Sequence, residues 1–124
     1  MTPRFELFAK NPQQLIDFYV NILRFKKQFE NDRYCSIVRD KTTIGIGDAA
    51  KLRDGHYFRP EVITGRKGLG VEIVLSVDDI EAEYKTVQAS GYPIYEELTK
   101  REWGLTDFRL VDPDGYYLRI TSQS

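Results

Sequence analysis

REWGLTDFRLVDPDGYYLRITS, residues 101–122, reads as two strands joined by a tight turn. Asp112-Pro113-Asp114-Gly115 carries the turn chemistry, because proline presets one backbone angle, aspartate hydrogen-bonds its own backbone and glycine tolerates conformations that side chains resist. The strands are then roughly Leu105 to Val111 and Tyr116 to Thr121. Alternation sorts them by face: Phe108, Leu110, Leu118 and Ile120 point one way, and Asp107, Arg109, Tyr117, Arg119 and Thr121 the other. A sheet with one apolar face needs a cover, and the residues upstream supply it.

VEIVLSV, residues 71–77, is a strand followed by Asp78, which reads as a helix N-cap with Glu81 three residues on. Ile80, Tyr84 and Val87 form one apolar stripe, and Ser90-Gly91 stops the helix where a left-handed residue is wanted. Tyr92 to Glu96 is the next strand. The same order appears earlier in the chain. RFELFAK, residues 4–10, alternates as a half-buried strand, and Asn11-Pro12 opens a helix running to about Leu23 with Leu15, Tyr19, Ile22 and Leu23 on its apolar face. Strands over about Lys26 to Asn31, Tyr34 to Arg39 and Thr42 to Gly47 follow. A pattern stated twice specifies an α+β fold of duplicated β-α-β-β-β units forming a curved, mixed sheet trough. The chain is read as a single domain, 1–124, with one module at about 3–48, a loop at 49–67 and a second module at about 68–122.

The balance of 18 Lys and Arg against 19 Asp and Glu gives a net charge of −1 and no basic excess, which argues against a nucleic-acid or anionic-membrane surface. No apolar run is long enough for a membrane span. The one cysteine, Cys35, has no partner for an internal disulfide and no reactive motif around it, so the cytoplasm is the expected compartment and a buried strand thiol the expected role.

The face opposite the helices carries Arg4, Glu6 and Phe8; Thr43, Gly45 and Gly47; Glu72, Val74 and Ser76; Asp107 and Arg109; Tyr117, Arg119 and Thr121. Such a face can simply be solvated. If the sheet curls, the same groups converge on a pocket, with Gly45 and Gly47 leaving room on its floor.

The doubled unit, LIDFYVNIL (15–23) in the first helix and above all WGLTDFRLVDPDGYYLRI (103–120) resemble the glyoxalase/bleomycin-resistance/dioxygenase superfamily, the vicinal oxygen chelate proteins. YCSIVRDKTTIGIG (34–47), and REWG followed by FRLVDPDG, resemble its bleomycin-resistance-like binding proteins in particular. The resemblance spans nearly the whole chain. It implies a homodimer and a small organic ligand held in the trough.

The metal enzymes of that superfamily place a His, Gln or Glu on the first strand of each half and a Glu on the last. Matched by strand and by distance from the helix and the DPDG turn, these positions are Arg4, Gly45, Glu72 and Arg119. Glu72 alone has ligand chemistry, and arginine keeps its proton and its charge. The resemblance therefore implies no metal, no cofactor and no catalytic residue here, and a network in which Arg119 and Arg4 hold Glu72. Such a network either is structural or leaves an arginine to hold the carboxylate or phosphate of a ligand. Trp103 is read either as a stacking platform or as an edge residue, and Phe8, an aromatic among charges, as pocket lining or subunit contact. His56 and the aromatics beside it in the loop form either a lid or surface anchors. The expected ligand-binding set is Arg4, Glu6, Phe8, Glu72, Trp103, Arg109, Tyr117 and Arg119. Sequestration of a drug- or antibiotic-like molecule is the reading adopted. A metal-dependent glyoxalase, dioxygenase or lyase stands as the alternative, and a purely dimerising or docking domain as a third.

Overall fold

A computed structural model of the chain describes residues 1–59 and 65–123. Residues 60–64, within the loop expected over 49–67, and Ser124 lie outside the described residues. The chain divides into two compact units, Met1–Arg66 and Lys67–Ser124, each built as strand, helix and three strands. The fold is α+β, with two open four-stranded mixed sheets.

In the first unit, β1 (Phe5–Ala9) leads into α1 (Pro12–Asp17), and β2 (Lys26–Glu30), β3 (Tyr34–Arg39) and β4 (Thr42–Asp48) complete a sheet ordered β1-β4-β3-β2. Asn11 caps the helix by accepting a hydrogen bond from the Gln14 amide at 3.2 Å, with Pro12 in the first turn where its missing N–H costs nothing. The helix does not stay regular to Leu23. Phe18–Ile22 widens into a π-helical turn, in which the Leu23 amide donates to the Phe18 carbonyl at 3.3 Å. Aromatic and β-branched residues in FYVNI are the weaker helix formers of the segment. The wider turn buries Phe18 and Tyr19 side by side with Leu15 and Leu23, and it leaves Ile22, expected in the stripe, half-buried. These side chains cover Leu7, Ala9, Ile37, Ile44 and Ile46 on the inner face of the sheet. Cys35 lies in the same core, where burial first and Glu30 second push its thiol pKa up.

In the second unit, β5 (Glu72–Val77) precedes α2 (Ile80–Ser90), and β6 (Glu96–Lys100), β7 (Thr106–Val111) and β8 (Tyr117–Ser122) give the order β5-β8-β7-β6. Two boundaries differ from the sequence reading. The cap is Asp79, whose carboxylate accepts from the Ala82 amide at 3.0 Å, while Asp78 accepts from the Gln123 side chain at 2.9 Å. The strand after the helix starts four residues late. Gly91 turns the chain in the left-handed region at φ +79, Tyr92 sends its hydroxyl to the Val111 carbonyl at 2.6 Å, and Pro93 has no N–H to give a ladder. Pairing begins only when the Tyr95 amide donates to the Arg109 carbonyl at 2.9 Å. Ile73, Val87, Phe108, Leu110, Leu118 and Ile120 are the buried core of this unit. Its hairpin is held by the buried Asp112 carboxylate, which accepts from the amides of Asp114 and Tyr116 at 3.0 and 2.9 Å. A salt bridge of 2.7 Å from Lys67 to Asp114 ties the start of the unit to the turn.

Burial, reinforced by the Asp112 charge, pushes the Tyr92 phenol up to about 12. The neutral phenol is thus favoured by folding, so the stability it contributes is present below about pH 10 and is lost as pH rises from about 10 to about 12. Urea unfolding of Tyr92→Phe should show a shallower loss of stability than the parent across that window, and at neutral pH a cost of about 1 kcal/mol for the missing hydrogen bond. Equal slopes in the two proteins would contradict this assignment.

Candidate functional site

Antiparallel pairing of β7 with β8 sets Arg109 directly opposite Arg119. Two guanidiniums facing each other across a ladder repel, and something must lie between them. Glu72 does so from β5. Its Oε1 meets Arg119 Nη2 at 2.8 Å, and its Oε2 lies 3.9 Å from Arg109 Nε. On the far side, Arg109 Nε is 3.8 Å from Oε2 of Glu96, its partner on β6. Glu96 in turn pairs with Arg101 Nη2 at 2.9 Å, and Arg101 Nε donates to Asp107 Oδ1 at 2.9 Å. The result is an alternating line, Arg119, Glu72, Arg109, Glu96, Arg101, Asp107, crossing the open face of the second sheet with its charges balanced.

The line is tight at its ends and loose in the middle. Arg101 is held further into its protonated form by its hydrogen bonds to Asp107 and then Glu96. Arg109 is raised chiefly by its hydrogen bond to the Tyr117 hydroxyl, with burial opposing and the two glutamates adding. That bond is long, 3.4 Å, and the Tyr117 ring lies under the guanidinium at 5.9 Å. Arg109 Nε, Arg119 Nε and Asp107 Oδ2 are buried atoms with no hydrogen-bond partner among the described residues.

The open face of the first sheet is built differently. Glu6 stands opposite Gly45 in the parallel β1–β4 ladder, and the space over that glycine holds the Glu6 carboxylate and the Tyr34 hydroxyl, which donates to it at 3.0 Å. Arg4 closes the group by pairing with Glu6. Burial first, and Glu6 second, push the Tyr34 phenol up. Phe8, opposite Gly47, packs against His56 and Phe58 with ring centroids 5.1 and 5.2 Å away. His56, which the sequence left unplaced in its loop, is fixed there by accepting the Phe58 amide on Nδ1 at 2.9 Å.

Superposing the two helix caps, Asn11 on Asp79, makes Arg4 the counterpart of Glu72 and Glu6 the counterpart of Val74. Because Glu6 pairs with Gly45 and Val74 with Arg119, Gly45 becomes the counterpart of Arg119. The four positions matched in the sequence are therefore two symmetry-related pairs, Arg4 with Glu72 and Gly45 with Arg119. Their residues do not fit a divalent ion: both oxygens of Glu72 face guanidinium groups, and among the described residues no three His, Cys, Asp or Glu side chains group around a common point.

The model of the Glyoxalase/Bleomycin resistance protein/Dioxygenase superfamily matches residues 2–120. The chain belongs to this superfamily. No curated protein matches it in sequence. Among solved structures, a superfamily member from Sphaerobacter thermophilus shares 23% identity at a TM-score of 0.74, covering 99% of this chain and 98% of that one. TioX from Micromonospora sp. is similar at 16% identity and a TM-score of 0.75, covering 100% and 97%. Lactoylglutathione lyase from Agrobacterium tumefaciens is similar at 11% identity and a TM-score of 0.75, covering 98% and 93%. These likenesses show the superfamily's fold. Among the described residues no helix is long and apolar enough to cross a membrane.

Of the residues expected in the site, Glu72, Arg109, Tyr117 and Arg119 come together on the second sheet, and Arg4 and Glu6 pair on the first. Within its own unit, the second arginine against Glu72 is Arg109. Phe8 joins the loop aromatics. Trp103 projects from the tip of the 101–105 turn and is 59% exposed. Arg101, Glu96, Tyr34 and Tyr95 were missed as site residues. Opposite charges on one hairpin, Glu96 and Arg101 against Asp107 and Arg109, were the available signal, and the early start given to β6 concealed it.

Glu72→Gln should leave the facing arginines unneutralised and lower stability by about 1–3 kcal/mol at low salt, with part of the loss recovered at high ionic strength. Unfolding titrations at two salt concentrations measure both effects. Gly45→Ala should push the Glu6 carboxylate away from Tyr34 and bring the Tyr34 phenol back toward its ordinary value, read from its NMR pH titration; an unmoved titration would show that the glycine is not what admits the pair.

Proposed function

We propose that the chain is a metal-independent small-molecule binding protein of the bleomycin-resistance-like kind, acting in the cytoplasm as a homodimer by sequestering a drug- or antibiotic-like ligand rather than by covalent chemistry. The observation that carries this reading is the state of Glu72. It alone, of the four positions where the superfamily's enzymes are implied to ligate, offers a ligand group, and its two oxygens already face Arg119 and Arg109. An ion there would have to displace a charge-assisted pair and sit between two fixed positive charges. The mixed-charge surface around Arg109 also lacks the acidic excess that a cationic drug would favour, so a strongly cationic ligand is not part of the proposal. Dimerisation draws support from large apolar side chains on the surface of the single chain: Tyr57, Leu69, Val71 and Trp103 are 75, 71, 60 and 59% exposed.

Tag-free protein titrated with Mn(II), Ni(II), Zn(II) and Fe(II) should bind none of them stoichiometrically. Stoichiometric binding that disappears in Glu72→Ala would overturn the proposal in favour of a metal-dependent enzyme. A ligand-observed NMR screen of planar aromatic acids, amides and amines should return binders in at least one charge class, and sedimentation equilibrium should give twice the chain mass. An empty screen would leave sequestration without support.

A further inference from the structure

The open face of the first sheet carries an aromatic patch that the protein covers itself. Phe8 lies low over β4, where a Cβ at Gly47 would stand 3.3 Å from its Cδ1. The rings of His56 and Phe58 sit against it with centroids 5.1 and 5.2 Å away, and all three residues are half-buried. Tyr57, which meets Phe58 edge-on at 5.0 Å, is 75% exposed. The cover is thin, and solvent reaches it.

Two observations mark this cover as separable from the sheet. The hydrogen bonds of His56 stay inside segment 53–59: its amide donates to the Arg53 carbonyl at 3.1 Å, its carbonyl accepts from the Arg59 amide at 3.2 Å, and its Nδ1 accepts from the Phe58 amide at 2.9 Å. The segment folds on itself, and His56 and Phe58 meet the sheet through their rings on Phe8. The second unit shows that the backbone needs no such cover. Counted from the helix caps, its counterpart of Phe8 is Ser76 and that of Gly47 is Thr121, and Ser76 is exposed. The loop rings thus answer the aromatic patch and not the fold. A ligand ring on Phe8 would make the kind of contact that Phe58 makes, and one aromatic pair is a modest barrier to that exchange. No fixed charge stands open beside it, because the Glu6 carboxylate two residues before Phe8 is already held by Tyr34 and Arg4.

Resting on the small-molecule reading above, we propose that Phe8 is a shelf for a planar, uncharged aromatic ligand and that segment 53–59 is its displaceable cover: the ligand's ring takes the place of Phe58 and His56. The cover shields the apolar patch from water in the free protein. It also makes binding conditional on opening, which lowers the apparent affinity by the fraction of molecules that are open.

The test titrates the full chain with N-phenyl-1-naphthylamine, an uncharged aromatic probe whose fluorescence rises when it leaves water. Phe58→Ala should bind it about tenfold more tightly than the parent, the scale of one aromatic pair, and Phe8→Ala in that background should cancel the gain. In the parent itself, saturating probe should abolish the NMR cross-peaks between the Phe8 and Phe58 rings and speed hydrogen exchange of the Phe58 amide, a readout that depends on no variant's folding. Weaker binding by Phe58→Ala would make Phe58 a wall of the site and overturn the cover. Ring cross-peaks that persist at saturation overturn it as well. Binding unaltered by both substitutions overturns the shelf while leaving small-molecule binding intact. No binding by parent or variants overturns the shelf, and the wider screen then decides the small-molecule reading on its own.

Discussion

Arg109 and Arg119 face each other across the central ladder of the second sheet, and the arrangement of that sheet's open face follows from neutralising them. A like-charge pair at directly opposed positions is unfavourable by itself. Glu72, on the far strand, relieves it only because β5 runs parallel to β8 in a register that brings Glu72 opposite Tyr117 and beside both arginines. Once Glu72 is committed, Glu96 answers Arg109 from the other side, and Arg101 bridges Glu96 to the buried Asp107. Each charge is placed by the one before it. The line stays solvent-edged except at Asp107, which is completely buried and for that reason needs Arg101 most.

The first unit shows what the same backbone does without that constraint. Its counterpart of Arg119 is Gly45, and the empty space over a glycine admits the Glu6 carboxylate and the Tyr34 hydroxyl from flanking strands. Here a carboxylate is held by a phenol and by the exposed Arg4, a softer arrangement than a line of paired guanidiniums. The duplication therefore conserves strand order, caps and ladder register while the two open faces diverge in chemistry. Both N-caps sit at the same place in their units, and both first strands pair parallel with the last. The chemistry on the open faces comes from side chains that the core leaves unconstrained.

That division also explains which parts of the molecule were legible from the residues. Strands with one buried face announce themselves through alternation, so β3, β4, β7 and β8 were placed within a residue or two, and Gly91 marked the end of its helix. Three failures have separate physical causes. Adjacent aspartates at 78 and 79 compete for one cap, and pattern alone does not choose between them. A π turn has no sequence period distinct from the helix it interrupts, so Phe18 was not assigned to the core. Tyr92 and Pro93 look like a strand by composition, but proline breaks the ladder and the tyrosine is claimed by the Val111 carbonyl. The last of these errors mattered for the site, because moving β6 by four residues is what brings Glu96 opposite Arg109.

The identity of Glu72's second partner illustrates a more general limit of reading charges from a face. Alternation correctly put Arg4, Glu72, Arg109 and Arg119 on polar faces, but the pairing among them depends on cross-strand register and on reach. Arg4 has a carboxylate two residues along the chain, and that local pair forms at low entropic cost. Along its own strand Arg109 has no same-face acidic neighbour closer than Asp107, which Arg101 already engages. It is left between two carboxylates that each have a nearer cation. In a balanced set of three positive and three negative groups, the unused hydrogen-bonding capacity falls on Arg109 Nε, Arg119 Nε and Asp107 Oδ2. The charge neutrality of the face and the loose hold of the two glutamates on Arg109 are thus two aspects of the same arrangement.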